Sequence, residues 1–227
     1  MKPALVIAWI DLVSPTADAI IRSHATASDY ASIAGRGPRA AHRSLLGRAL
    51  IRHLLAETLA ISDVIINIDP RGKPEAHEAG SAIPIAISIA HSGTMVGAAV
   101  SRSGQVGLDI ERHDGRRDRA SIAAYTFGPQ EVRRAESGGV AAFYRIWTLR
   151  EAMAKATGAG LAQAADGVDR MDSGPEEGIW WADTVGWQVG HRTTRSGYSV
   201  AFARQADEVA PVSGGCDDQV DWREVGG

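Results

Sequence analysis

The sequence predicts an α+β protein made of two halves with similar content. Each half has one conspicuous helical segment, about 40–60 in the first and 141–157 in the second. Short apolar segments broken by turn residues surround both, the pattern of hairpin-connected strands. The seam falls near Gly104–Gly107. No sequence repeat relates the halves, but their matched content is compatible with a pseudo-dimer.

The elements follow in order. Residues 4–12 read as a buried strand, and 17–33 as a polar, helix-like stretch. The loop Gly35-Arg36-Gly37-Pro38-Arg39 feeds the helix at 40–60. There Leu45, Leu46, Ala49, Leu50, His53 and Leu54 share one face, with Arg43, Arg48 and Arg52 beside it. Residues 64–68 form a strand, and Asp69-Pro70-Arg71-Gly72-Lys73-Pro74 is a turn by composition. Strands at 83–90, 95–101 and 105–111 follow, the last two joined around Ser103-Gly104. After polar residues 112–119, a helix at 120–125 stops at Gly128-Pro129, and 130–136 starts another. The helix at 141–157 is closed by Gly158 and Gly160. Strands at 178–181, 186–191 and 198–204 complete the second half. The tail from Gln205, with Gly214-Gly215 and Asp217-Asp218, is expected to be loosely attached.

Composition excludes several classes. Hydrophobic residues are 44% and charged residues 22%, so the chain is not disordered. No apolar run approaches the roughly 20 residues of a membrane span, and no membrane partner is expected. A net charge of -3 argues against a broad nucleic-acid surface. The single cysteine, Cys216, excludes an intrachain disulfide. The apolar stretch at 4–10 meets Asp11 too soon for a signal peptide, so a cytoplasmic location is expected.

Of 24 basic residues only Lys2, Lys73 and Lys155 are lysine. In an arginine-biased chain the remaining lysines mark candidate sites for a compact point charge, with chance as the alternative. Asp109 and Glu111 stand at i and i+2, so on a strand both carboxylates face one way. They repel unless a cation lies between them, and carboxylates plus substrate phosphates are the usual magnesium arrangement. The alternative is a solvated strand edge beside Arg112 and Arg116. Trp147, Glu151 and Lys155 are spaced i, i+4, i+8 along one helix face. The plain reading there is a surface Glu–Lys pair. His91 opens a turn in Ala90-His91-Ser92-Gly93, and Arg36, Arg39 and Arg43 form a basic cluster at a helix start. With Lys73 these could bind a phosphate.

In this order the pieces resemble the 4'-phosphopantetheinyl transferase superfamily, in its longer, pseudo-dimeric, surfactin-synthetase-activating type. His42-Arg43-Ser44-Leu45-Leu46 is similar to the family's N-terminal helix arginine, and Gly72-Lys73-Pro74 to its Gly-Lys-Pro turn. Val106-Gly107-Leu108-Asp109-Ile110-Glu111 and Trp147-Thr148-Leu149-Arg150-Glu151-Ala152-Met153-Ala154-Lys155 look like its two signature motifs, about 40 residues apart. Ser196-Gly197-Tyr198-Ser199-Val200-Ala201-Phe202 resembles a late family strand. Two departures stand out: Ala90-His91 replaces Ser-His, and Arg150-Glu151 replaces Lys-Glu.

The resemblance implies two pseudo-symmetric lobes, each a small, mainly antiparallel sheet packed against a long helix, with coenzyme A in the cleft between them. The expected division is 1–106, 107–206 and a tail at 207–227. The implied reaction moves the phosphopantetheine arm of coenzyme A onto a serine of an apo acyl or peptidyl carrier protein. Asp109, Glu111 and Glu151 would hold Mg²⁺, while Glu151, Lys155 and Asp109 would be catalytic. Arg36, Arg39, Arg43, Lys73, Ala90, His91 and Lys155 would bind coenzyme A. The segment 112–119, with Phe127, is a candidate docking surface for an acidic carrier. The length suggests a monomer. A non-catalytic carrier-binding relative and a Mg²⁺-dependent nucleotide phosphohydrolase are the competing readings.

Overall fold

The computed structural model describes residues 3–78, 81–161, 177–181, 186–205 and 220–226. The chain divides into two units, 1–103 with 218–227, and 104–217. The cut lies just ahead of the expected 106/107 boundary. Residues 206–219 lie outside the described residues, and with them Gly214-Gly215, Asp217-Asp218 and Cys216. The end of the expected tail is not loose. It forms a strand that joins the first unit.

The first unit is a six-stranded sheet with helices on one face. Its strands are β1 (Leu5–Asp11), β2 (Val64–Ile68), β3 (Pro74–Glu78), β4 (Ser81–Ser92), β5 (Met95–Ser101) and, from the far end of the chain, β10 (Val220–Glu224). The order is β10-β1-β5-β4-β3-β2, antiparallel except for β10 beside β1. The turn at 69–73 is a true hairpin, whose second strand, β3, went unread in the sequence because Pro, Glu and His do not alternate cleanly. The polar stretch at 17–33 resolves into α1 (Pro15–His24) and α2 (Ala27–Ser32). The helix α3 (Pro38–Leu59) lays Leu46, Ala49, Leu50 and Leu54 on Val6, Ala8, Ile10, Val96 and Ala98 of the sheet.

Two arginines expected beside the apolar face of α3 are in fact buried. Arg48 and Arg52 are 9% and 4% exposed and converge on Asp29 of α2, which has no exposure at all. Arg48 Nη1 lies 3.4 Å from Asp29 Oδ1, Arg52 Nη2 lies 3.2 Å from it, and Arg52 Nη1 reaches Oδ2. Asp29 also closes the capping box of α2 with Thr26. Burial pushes the Asp29 carboxyl up, but the Arg52 and Thr26 hydrogen bonds outweigh it and leave it below the ordinary value.

A second, partly buried contact ties α1 to α3. His24 Nε2 and His53 Nδ1 are 3.4 Å apart, and His53 Nε2 faces Glu57 at 3.4 Å. Burial lowers the His24 pKa most; the His53 ring and Arg52 lower it further, against Glu57. A histidine depressed below its unfolded value favours the neutral form in the fold. Its contribution is complete above the unfolded pKa of about 6.5 and is lost as pH falls through the lower folded value. The stability of the first unit should therefore decline on acidification below about pH 6.5. His24→Gln should flatten that decline, as measured by denaturant titrations across this range. An unchanged pH slope in the variant would assign the decline elsewhere.

The second unit is a four-stranded antiparallel sheet, β6 (Val106–Arg112), β7 (Gly178–Trp181), β8 (Trp187–Thr193) and β9 (Tyr198–Gln205), ordered β6-β9-β8-β7. Its helices are α4 (Arg119–Thr126) and α5 (Pro129–Thr157). The second is a folded-back pair, its arms corresponding to the separate segments expected at 130–136 and 141–157. Gly139 sits at φ 65°, ψ -142°, open chiefly to glycine. Residues 131 and 150 would stand about 28 Å apart on a straight helix. Instead Arg150 Nη1 bonds Glu131 Oε2 at 2.8 Å, so the chain reverses between them. Both groups are buried, at 2% and 0% exposure, with the Arg150 guanidinium 5.8 Å from the Phe127 ring centre. Each unit therefore has a sheet against a long helix, with six strands in one and four in the other among the described residues.

Candidate functional site

Strand β6 and the second arm of α5 place the acidic residues. Gly107, Asp109 and Glu111 alternate onto one face of the sheet, the face α5 covers. Gly107 is what permits the close approach. A Cβ there would lie 2.0 Å from the Ala152 carbonyl oxygen and 2.5 Å from the Ala156 nitrogen. With no side chain in the way, α5 settles onto β6, and Lys155 meets Asp109. Gly107→Ala should force the helix off the strand, separate this pair, and cost about 1–3 kcal/mol. Chemical denaturation would measure it; a neutral variant would mean that the helix shifts freely there.

Lys155 Nζ donates to Asp109 Oδ1 at 2.7 Å. The ammonium thus reaches across to the strand rather than back to Glu151, one turn earlier, and the surface-pair reading gives way. Asp109 is 5% exposed, and its other oxygen, Oδ2, is buried with no hydrogen-bond partner among the described residues. Burial pushes the Asp109 carboxyl up to about 6; Lys155 draws it down, and Glu111 and Glu151 push it up again. Glu151 is likewise raised by burial, with Lys155 opposing and Glu111 adding. Three carboxylates therefore feel one another, and one buried oxygen lacks a donor. That set fits a hard cation, which would supply the missing partner and relieve the repulsion. Among the described residues no three such side chains are already gathered as a closed metal site. Glu111 meets a second cation, Arg117 Nη2, at 3.7 Å.

The coenzyme A residues expected in the first unit collect at one end of its sheet. Glu75 of β3 pairs with Ala86 of β4, and the strands run oppositely, so the 69–73 turn and the 92–94 turn lie at the same end. Lys73 sits in the first turn and His91 just before the second. Arg39 Nη2 donates to the Gly93 carbonyl of that second turn at 3.2 Å. Arg43 follows Arg39 by one turn of α3. Gly47, one turn further, packs so closely on Ile89 of β4 that a Cβ would fall 2.6 Å from it. Arg39, Arg43 and His91 therefore share a corner. The Arg43 Nε is buried without a hydrogen-bond partner among the described residues. Burial lowers the Lys73 pKa most, against Asp69 and Glu75, as expected of an ammonium partly stripped of water. Arg36 is exposed in the loop ahead of α3. Ala90 is 2% exposed and pairs with Gly97, so its side chain offers nothing to a ligand.

Arg150, where the family usually has lysine, is buried against Glu131 and holds the two arms of α5 together. One expectation needs correction. Phe127 is 8% exposed, inside a cluster with Phe143 and Tyr144, and presents no docking surface. The exposed aromatic nearby is Tyr125, at 92%; nothing in its Ala-Tyr-Thr context marked it. In the basic segment, Arg116 bonds Asp114 and Arg119 Nη1 bonds the carbonyls of Asp114 and Gly115.

Residues 105–203 match the model of a family described as the 4'-phosphopantetheinyl transferase superfamily. The 4'-phosphopantetheinyl transferase HetI of Nostoc sp. is 30% identical over 132 residues, 56% of this chain and 56% of that protein. The 4'-phosphopantetheinyl transferase gsp of Aneurinibacillus migulanus is 33% identical over 127 residues, 53% of this chain and 50% of its own length. The 4'-phosphopantetheinyl transferase AcpT of Salmonella typhimurium is 31% identical over 134 residues, 56% of this chain and 65% of that protein. The chain thus spans about half the length of the first two relatives.

Proposed function

Because residues 105–203 match the model of the 4'-phosphopantetheinyl transferase superfamily, we propose that the chain is a member of it and transfers the 4'-phosphopantetheine arm of coenzyme A to a serine of an apo acyl or peptidyl carrier protein. Adenosine 3',5'-bisphosphate leaves. The observation that carries the reading is Asp109, buried, with one oxygen on Lys155 and the other without a donor among the described residues. Magnesium, held by Asp109, Glu111 and Glu151, would neutralise charge on the pyrophosphate.

The chain's own residues do the rest. The carrier serine hydroxyl oxygen attacks the phosphorus that bears the pantetheine arm, and its proton passes to the Glu151 carboxylate. Burial raises Glu151, which suits it to hold that proton. The bond from this phosphorus to the oxygen of the nucleotide phosphate breaks, and the electron pair departs with that oxygen. Lys155 offers its ammonium to the charge developing there. Arg43, Lys73 and His91, joined by Arg39, Arg36 and the backbone of Ala90, grip the 3'-phosphate and adenosine end. An acidic carrier suits the arginines of 112–119. The reading includes a monomer working in the cytoplasm, away from nucleic acid and membranes; among the described residues no helix is long and apolar enough to cross a membrane.

Intact mass spectrometry of apo carriers incubated with the protein, coenzyme A and Mg²⁺ tests the reading. A gain of one phosphopantetheine is expected. Coenzyme A hydrolysis without carrier, or carrier binding without gain, would replace it. Dephospho-coenzyme A should bind wild type about ten- to a hundredfold more weakly than coenzyme A, the value of a lost charge-assisted hydrogen bond. In Arg43→Ala that gap should narrow in calorimetry. A gap of full size would remove Arg43 from the 3'-phosphate.

A further inference from the structure

The strand that carries Asp109 and Glu111 ends in a hydrogen-bonded cluster that the chemistry above does not use. Ser199 of β9 stands directly opposite Glu111 in the ladder. Residues directly opposite in an antiparallel pair point to the same face. The fully buried Ser199 hydroxyl lies 2.9 Å from His113 Nε2 and 3.1 Å from His191 Nε2. A hydroxyl has one proton to give, so at least one of these imidazoles donates through Nε2.

His113 is fastened on two further sides. Its backbone N–H donates to the Gly197 carbonyl at 2.9 Å, extending the β6–β9 ladder one residue past Arg112. Its ring stacks on Tyr144 at 5.0 Å between centres and 11° between planes. The Tyr144 hydroxyl in turn accepts from the Asp114 N–H at 2.9 Å and donates to the Asp114 carbonyl at 3.2 Å. Tyr144 is wholly buried in the arm of α5 that also bears Glu151 and Lys155. Strand ends fray when only backbone bonds hold them. This one is tied by side chains to β9 and to α5 together, two residues past Glu111, while Arg117 draws on the Glu111 carboxylate from the loop beyond.

We propose that His113 is a positioning residue, which through Ser199 and Tyr144 fixes the end of β6 and so holds Glu111 in place for the cation. This rests on the transferase reading, in which Glu111 is a magnesium ligand.

The test uses Mn²⁺ alone as the probe, with binding followed by electron paramagnetic resonance and folding by thermal melting. Wild type should bind Mn²⁺ and Glu111→Gln should bind it more weakly. His113→Ala and Ser199→Ala should each weaken binding about tenfold, the lower end of what losing an outer-shell partner costs. His113→Gln, whose side-chain nitrogen replaces Nε2, should stay within about threefold of wild type. If His113→Ala fails to fold, Ser199→Ala, which removes one oxygen, decides the matter. Folded His113 and Ser199 variants that bind like wild type, beside a weakened Glu111→Gln, overturn the positioning role and leave the magnesium assignment standing. A glutamine variant as weak as the alanine one also overturns it. A wild type that does not bind Mn²⁺, or a Glu111→Gln that binds as well as wild type, overturns the magnesium assignment and this inference with it.

Discussion

Glu151→Gln should melt like the wild type, or slightly above it, and, under the proposed reaction, transfer phosphopantetheine about 10²- to 10⁴-fold more slowly, the usual loss with a general base. Glutamine keeps the shape and packing of a half-buried side chain. It removes a charge that burial disfavours and that Glu111 repels. A carboxyl whose pKa is raised in the fold is held ionised at a cost at neutral pH, so neutralising it takes nothing from stability. A surface Glu–Lys pair predicts something else: up to about 0.5 kcal/mol lost and transfer intact. Thermal melting beside single-turnover transfer separates the two. A variant that melts like wild type and retains more than a tenth of its rate would exclude Glu151 as base.

Asp29→Asn should destabilise the first unit by about 3–5 kcal/mol, the cost of leaving buried charge without its partner. Asparagine fits the space but gives Arg48 and Arg52 an amide where they had a carboxylate. Asp29 also lies below its ordinary pKa. Its stabilisation is present above the unfolded value of about 3.9 and is lost as pH falls through the lower folded one, so the variant should be least distinguishable from wild type in strong acid. Native-state hydrogen exchange of α3 and β2 amides reads the first unit alone. A loss under about 1 kcal/mol would show that the bonds from Arg48 to the Ile66 carbonyl and from Arg52 to the Val64 carbonyl already satisfy the pair.

Spacing put the acidic residues of the candidate site on two faces, and the resemblance of two motifs joined them. An i, i+2 pair on a strand and i, i+4 on a helix leave few places for Asp109, Glu111, Glu151 and Lys155 to point. The separate segments at 130–136 and 141–157 were also legible, and Gly139, whose backbone favours glycine, marks the break between them. What spacing cannot show is the partner across a tertiary contact. Arg48, Arg52 and Arg150 look like solvated charge until Asp29 and Glu131 arrive from other elements. Phe127, expected at a surface, is buried for the same reason: it packs against Phe143, while Tyr125 two residues earlier stays exposed. His113 carried no signal at all, because its partners Ser199 and Tyr144 lie 86 and 31 positions away.

The pairing of β10 with β1 bears on the order in which the protein is made. Leu5 pairs with Val220, so the apolar strand β1 keeps one edge open until a partner about 215 residues later has been synthesised. At about 5–20 residues per second that wait is on the order of ten to forty seconds. An unpaired strand edge is a template for other strands, including those of neighbouring nascent chains. The second unit, whose strands and helices lie within one continuous stretch, is free to fold in the meantime. The first unit thus completes its sheet last although its synthesis begins first, and the Leu5–Asp11 edge is where a chaperone would have most to protect.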